Sequence, residues 1–197
     1  MRLPGIIASL ALLATFSAGE GTRARAAVLD QGTIELTPSL GFTRSSLAFK
    51  GSNAGSITHV SASARAGYCV THRFEIDAGM LMEHQAVSFP GAISEQATLI
   101  GATAGVQFNA PHGGRMLPFV RGAIGMATNS GVLSPGKETT LFAPILQAGL
   151  RVLAGTRASV NFGLGYRHQS NARGVTDLSA HTFEAEIGVS IFPRLGK

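Results

Sequence analysis

From residue 32 onward, apolar and polar residues alternate along the sequence. A period of two puts successive side chains on opposite faces of an extended chain, so the pattern indicates β-strands rather than helices. Eight such segments follow one another, at approximately 34–43, 57–70, 74–86, 98–108, 116–127, 139–153, 158–170 and 181–192. Each has one apolar face and one face of glycine, polar and charged residues. The sequence therefore predicts an all-β protein with eight antiparallel strands.

The location of the charged residues decides which kind of β protein this is. A soluble barrel carries charge on its outer face, whereas strands of about 10 residues or more with an apolar outer face and a polar lumen are typical of membrane barrels. Only 14% of the residues are charged, and 25 are glycine, which suits a barrel that turns half of its side chains toward lipid. Closure also removes exposed strand edges. We predict an eight-stranded antiparallel transmembrane β-barrel of the outer-membrane type.

The faces predicted to line the lumen carry ten charged residues: Glu35, Glu75, Asp77, Glu83, Glu184, Glu186, Arg65, Arg121, Arg151 and Arg167. An eight-stranded barrel is too narrow for an open aqueous pore. Burying an unpaired ion costs several kcal/mol, so these residues are expected to form internal ion pairs. The pattern predicts a plugged lumen and argues against transport.

Residues 1–27 have the features of a secretory signal peptide. Arg2 is followed by the apolar stretch 6–18 and by the small-residue cleavage pattern Ala24-Arg25-Ala26. We expect export and cleavage after Ala26 or Ala27, which leaves residues 28–197 as an outer-membrane barrel. Removing three of the 16 basic and one of the 11 acidic residues leaves a net charge of +3. That charge suits a surface rich in lipopolysaccharide phosphates, and no basic helix or patch indicates nucleic acid.

Long and short connections alternate along the predicted barrel. The long ones are 44–56, 87–95, 128–138 and 171–180, and the short ones are 71–73, 110–115 and 154–157. In outer-membrane barrels the long loops face outside and the tight turns face the periplasm. Strand seven is therefore expected to run outward.

Two polar residues, His168 and Ser170, follow the apolar face of strand seven at its outer end. Residues i and i+2 of a strand share a face and lie ~7 Å apart at the backbone, so a histidine nitrogen can approach a serine hydroxyl. His168 could accept a proton as Ser170 attacks an ester carbonyl, and Asn171 could donate a hydrogen bond to the oxyanion. Polar residues also mark strand ends at membrane interfaces, so the spacing alone leaves a structural role open.

The segment from Tyr166 to Ala172, with His168-Gln169-Ser170-Asn171-Ala172 at its centre, resembles the His-x-Ser-Asn-Ala motif of the outer-membrane lipid A 3-O-deacylase family (PagL-type acyloxyacyl hydrolases). Residues 117–122 and 147–151 resemble that family's strands five and six. The resemblance implies a serine esterase that needs no metal or cofactor and acts on lipid A. It makes His168 the general base, Ser170 the nucleophile and Asn171 an oxyanion or orienting group.

The third member of the triad is left open by the sequence. The family continues with Ala-Gly and a Pro-Asn-x-Gly stretch, whereas this chain has Ala172-Arg173-Gly174-Val175-Thr176-Asp177. Asp177 could fold back toward His168, and Glu184 has suitable chemistry although its parity points into the lumen. His181 shares the outer face but is no acid.

The alternative interpretation is a non-enzymatic barrel of the OmpA or OmpX kind, with a structural or adhesive role. His59, His84 and His112 lack the mutual spacing of a metal site. The expected partners are the membrane and lipopolysaccharide of its outer leaflet. The sequence leaves open whether the barrel forms a homodimer.

Overall fold

The eight alternating segments form eight strands in the part of the chain that the structure describes. This computed structural model describes residues 29–49, 52–88, 95–110, 114–131, 139–171 and 179–193. The strands are β1 (Ile34–Phe49), β2 (Ser52–Cys69), β3 (Phe74–Ser88), β4 (Glu95–Asn109), β5 (Met116–Gly131), β6 (Thr139–Leu153), β7 (Ala158–Asn171) and β8 (Ser179–Ile191). Each pairs antiparallel with the next, and β1 pairs with β8, so the sheet closes into a barrel. None of the described residues forms a helix long and apolar enough to cross a membrane.

The outer face of the barrel is apolar. Leu164 is 72% exposed and Phe183 is 69% exposed. Of the outward-facing strand residues whose side chains are described, none is Asp, Glu, Lys or Arg. The titratable residues among them are Tyr68, His84, Tyr166, His168 and His181. Such a wall is unfavourable in water and stable in lipid. The fold is the predicted eight-stranded transmembrane barrel of the outer-membrane type.

The lumen contains the ten predicted charged residues, and nearly all of them form ion pairs. The pairs are Arg121–Asp77 at 2.5 Å, Arg167–Glu83 at 2.7 Å, Arg151–Glu35 at 2.8 Å, Arg65–Glu186 at 3.7 Å and Arg151–Glu75 at 3.8 Å. Glu83 also contacts His59, and the remaining acid, Glu184, accepts a hydrogen bond of 2.8 Å from Ser61. These contacts connect strands across the lumen and offset the cost of burying the charges. The prediction of paired internal charges is confirmed.

Two apolar clusters fill further parts of the interior. The first closes the end of the barrel that carries the short turns and consists of Leu29, Cys69, Leu117, Leu153 and Phe192. The second consists of Leu81, Leu99, Ala127 and Phe142, with Ile145 packed against it. Apolar packing thus supplements the ion pairs in plugging the lumen.

Phe142 lies in the lumen and is 0% exposed, whereas strict alternation with the outward-facing Leu146 predicts it on the lipid face. The pairing of β6 with β7 shifts register between Phe142 and Ile145, and its pairing with β5 shifts at the same level. A bulge adds residues to one strand and so changes which face the following side chains occupy. Pro144 lies in this bulge and lacks a ladder donor, whereas Pro38 and Pro118 lie in regularly paired stretches of β1 and β5.

The connection predicted at 44–56 is largely strand. β1 continues to Phe49 and β2 starts at Ser52, with pairing from Arg44–Thr58 to Phe49–Ser52 and a register shift at Leu47/Ala48. The glycine, serine and asparagine content indicated a loop. Backbone hydrogen bonds, which do not depend on side-chain polarity, extend the antiparallel ladder through this stretch instead.

Candidate functional site

His168 and Ser170 lie within the last four residues of β7, at the end of the barrel opposite the short turns. Both are partly exposed on the outer face, whereas Arg167 between Tyr166 and His168 is buried in the lumen. The period of two of the strand thus brings the two predicted residues to one face. No hydrogen bond joins the imidazole of His168 to the hydroxyl of Ser170 among the described side chains. Catalytic hydrogen bonds are often loose without substrate and tighten when it binds.

His168 has an open hydrogen-bonding position. Its Nδ1 atom is buried and has no hydrogen-bond partner among the described residues. A buried polar atom without a partner costs roughly 1–3 kcal/mol, so native structures keep few of them without a reason. On the neighbouring strand β6, the residues opposite His168 form the bulge between Phe142 and Ile145, where the hydrogen-bond ladder with β7 is interrupted. The nitrogen is one of seven such buried atoms among the described side chains, and its place beside the interrupted ladder makes it a candidate contact for a further group.

His181 on β8 is the cross-strand partner of His168. The ring centroids of the two histidines are 4.9 Å apart, with an angle of 39° between the ring planes. The Nδ1 atom of His181 and the hydroxyl of Tyr166 share a hydrogen bond of 2.7 Å. Tyr166 also packs against Phe183 at 5.6 Å between ring centroids. The sequence placed His181 on the right face, but its contact with His168 depends on the β7–β8 register, which the sequence did not provide.

The remaining predicted residues occupy different places. Asn171 is the last residue of β7 and pairs at the backbone with Thr140, while its side chain lies outside the described part. Asp177 lies outside the described residues altogether. Glu184 lines the lumen and bonds Ser61, so the structure does not bring it to His168 on the outer face. Within the described residues, no group of three or more His, Cys, Asp or Glu side chains could hold a metal ion.

An apolar concavity of about 490 Å³ lies on the outer wall beside Tyr166. Its lining includes Leu146, Ala148, Leu164 and Phe183. The small residues Ala148 of β6 and Gly165 of β7 lie among larger apolar residues in this lining. An apolar chain lying along the barrel wall would fit such a surface.

No protein-family model matches the sequence. No curated protein matches it either. Among solved structures, Neisserial surface protein A (NspA) is similar with a TM-score of 0.58 and 14% identity, over 80% of this chain and 96% of that chain. OprG from Pseudomonas aeruginosa is similar with a TM-score of 0.55 and 11% identity, over 83% and 97%. The outer membrane enzyme PagL gives a TM-score of 0.46 and 17% identity, over 77% and 97%. At these identities the similarity describes the barrel fold alone.

Proposed function

We propose that this chain is an outer-membrane serine esterase that removes an ester-linked hydroxyacyl chain from lipid A. In this proposal residues 1–27 are a cleaved signal peptide and residues 28–197 form the barrel. His168 and Ser170 are its catalytic residues. The protein would thereby remodel the lipopolysaccharide of the outer leaflet.

The observation that carries the proposal is the position of His168 and Ser170 on the lipid-facing wall. Both lie at the end of β7 opposite the short turns, which face the periplasm in outer-membrane barrels. In the proposed orientation, this level of the wall would meet the boundary between lipid headgroups and acyl chains. The esters of lipid A lie at the same boundary. A nucleophile there meets a lipid ester and not a soluble substrate.

The proposed reaction follows the chemistry of serine esterases. Ser170 Oγ attacks the ester carbonyl while His168 accepts the hydroxyl proton. The resulting oxyanion is stabilised by hydrogen-bond donors, for which Asn171 is the proposed side chain. Collapse breaks the bond to the sugar oxygen, which takes the proton from His168. Water then hydrolyses the acyl-serine, again with His168 as base, and releases the hydroxy fatty acid.

The apolar concavity beside Tyr166 supports a lipid substrate. Its lining of Leu146, Leu164 and Phe183 offers contact to an acyl chain that lies along the barrel wall. Each methylene that leaves water makes the free energy of binding more favourable by ~0.8 kcal/mol. An acyl chain that already lies in the bilayer has left water, so it gains little from binding to the barrel wall. The concavity is therefore expected to orient the chain and to add little affinity.

The test is mass spectrometry of lipid A from an outer-membrane-competent host that expresses the wild type or Ser170→Ala. The wild type should remove one hydroxyacyl chain, and Ser170→Ala should leave lipid A intact. Thr128→Ala is a matched control, because Thr128 also presents a hydroxyl on the outer wall, on β5. It should behave as the wild type. Intact lipid A with a folded wild-type barrel would contradict the proposal.

A non-enzymatic barrel with a structural or adhesive role is the second candidate. The observation that favours it is the absence of a carboxylate beside His168 among the described outward-facing residues. Under this alternative, both the wild type and Ser170→Ala would leave lipid A unchanged. The same experiment therefore separates the two functions.

A further inference from the structure

The outer wall around His168 contains a second histidine where a triad would place an acid. Among the described outward-facing side chains, β7 and β8 supply two titratable neighbours, Tyr166 and His181, and β6 supplies none. The charged residues at this level, Arg167 and Glu83, are paired inside the lumen. Among the described side chains, the group placed to act on the imidazole of His168 is therefore His181.

The hydrogen bond to Tyr166 couples the tautomer of His181 to the direction of that bond. It engages the Nδ1 atom of His181 at 2.7 Å and leaves Nε2 for another partner. If Nδ1–H donates to the tyrosine oxygen, Nε2 is an acceptor. The buried Nδ1 atom of His168 lacks a partner, and the two ring centroids are 4.9 Å apart. The inference requires a rotation of the rings that brings Nδ1–H of His168 to that acceptor.

We propose that His181 is the positioning residue for His168, in the place that a carboxylate fills in a serine triad, and that Tyr166 fixes its tautomer. The inference rests on the proposed esterase function. With Nδ1 of His168 donating to His181, Nε2 of His168 is free to accept the proton of Ser170. A neutral imidazole stabilises the imidazolium that forms on His168 less well than a carboxylate, but it selects the same tautomer.

The experiment measures hydrolysis of lipid A by purified barrels in detergent micelles. His181→Phe keeps an aromatic ring but cannot accept a hydrogen bond, and it should lower kcat by about 10²-fold with little change in KM. His181→Glu should recover at least about 10-fold over His181→Phe, because it supplies the acceptor. His84→Phe is the matched control, since His84 is an exposed outward-facing histidine on β3. It should retain wild-type activity, and heat-dependent gel mobility checks that each barrel is folded.

The pH profile separates a positioning role from a structural one. Both histidines must be neutral for the proposed hydrogen bonds, so log(kcat/KM) of the wild type should rise from acidic pH with a slope approaching two. In His181→Glu one histidine remains, and the slope should fall to one. If the role of His181 were only structural, the wild type and His181→Glu would show the same slope.

Three results would overturn the inference. Full activity of His181→Phe, with Ser170→Ala inactive, would overturn it and leave the proposed esterase standing. Loss of activity in Asp177→Asn but not in His181→Phe would assign the third position to Asp177. No hydrolysis by the folded wild type would overturn the proposed function, and the inference with it.

Discussion

Arg167 and His168 are neighbours in the sequence but lie on opposite faces of the barrel wall. Inside, Arg167 bonds Glu83 at 2.7 Å and its guanidinium lies 4.6 Å from the ring centroid of Phe142. Outside, His168 keeps a buried nitrogen without a hydrogen-bond partner among the described residues. Arg167 also keeps one buried nitrogen without a partner, its Nε atom, so what separates the two residues is the charged partner that Arg167 has inside the lumen. We infer from the comparison that the ion pair of Arg167 stabilises the barrel, and the proposed chemistry belongs to the outer wall.

The largest expected effect is on activity, from the outer wall. His168→Ala should lower kcat for lipid A hydrolysis on the order of 10³-fold or more, because Ser170 loses its base. Adding Ser170→Ala should cause little further loss, since the two residues act as a unit. The unfolding free energy of both variants should stay near the wild-type value. A large loss of stability in His168→Ala would contradict the division between the two faces.

Removing a lumen charge should reduce stability. Glu83→Ala leaves Arg167 and His59 without their carboxylate, and breaking a buried pair in this way costs roughly 3–5 kcal/mol. Equilibrium unfolding in urea, with the barrel in lipid vesicles, measures the change. A change below about 1 kcal/mol would show that the ion pair is not needed for stability.

Introducing a charge on the outer wall tests the membrane contact of that face. Leu164 is in the middle of β7, is 72% exposed and has no charged neighbour on its face. Leu164→Arg should destabilise the barrel in a bilayer by roughly 2–4 kcal/mol, because the charge enters hydrocarbon. Leu164→Ile provides the apolar control in the same unfolding assay. Equal stability of the two variants would mean that lipid does not cover this wall.

Two glycines, one on each face of the barrel wall, test how well each face accommodates one added methyl group. A Cβ atom on Gly149, which points inward, would collide with the carbonyl oxygen of Phe162 and the ring of Phe119, whereas one on outward-facing Gly122 has open space. Gly149→Ala should cost roughly 1–3 kcal/mol through overpacking. Gly122→Ala should change the unfolding free energy by less than about 0.5 kcal/mol. Equal effects would show that the lumen near Phe119 can adjust.

The sequence predicts most of the fold because each residue of a barrel strand faces either the lumen or the lipid, and the alternation of residue types indicates which. That choice correctly assigned all ten lumen charges as well as His168 and Ser170. It was wrong for Phe142, since the bulge before Ile145 changes the parity. It was also wrong for the stretch 44–56, where the ladder between β1 and β2 continues despite loop-like composition.

The site is less predictable from the sequence than the fold. The His168–Ser170 pair follows from spacing within one strand. The contact between His168 and His181, however, depends on how β7 and β8 align, which the spacing of residues within each strand does not determine. The bond between Tyr166 and His181 depends further on side-chain rotamers. Spacing within a strand could be predicted, and register between strands could not.

The most direct test of the division between faces is fatty acid release by the purified wild-type barrel, in detergent micelles that contain lipid A. Wild type and His84→Phe should release a hydroxy fatty acid at the same rate, and Ser170→Ala should release none. Glu83→Ala, assayed under conditions in which it is folded, should retain most of the activity. Release by Ser170→Ala at the wild-type rate, or none by the folded wild type, would contradict the assignment of chemistry to the outer end of β7.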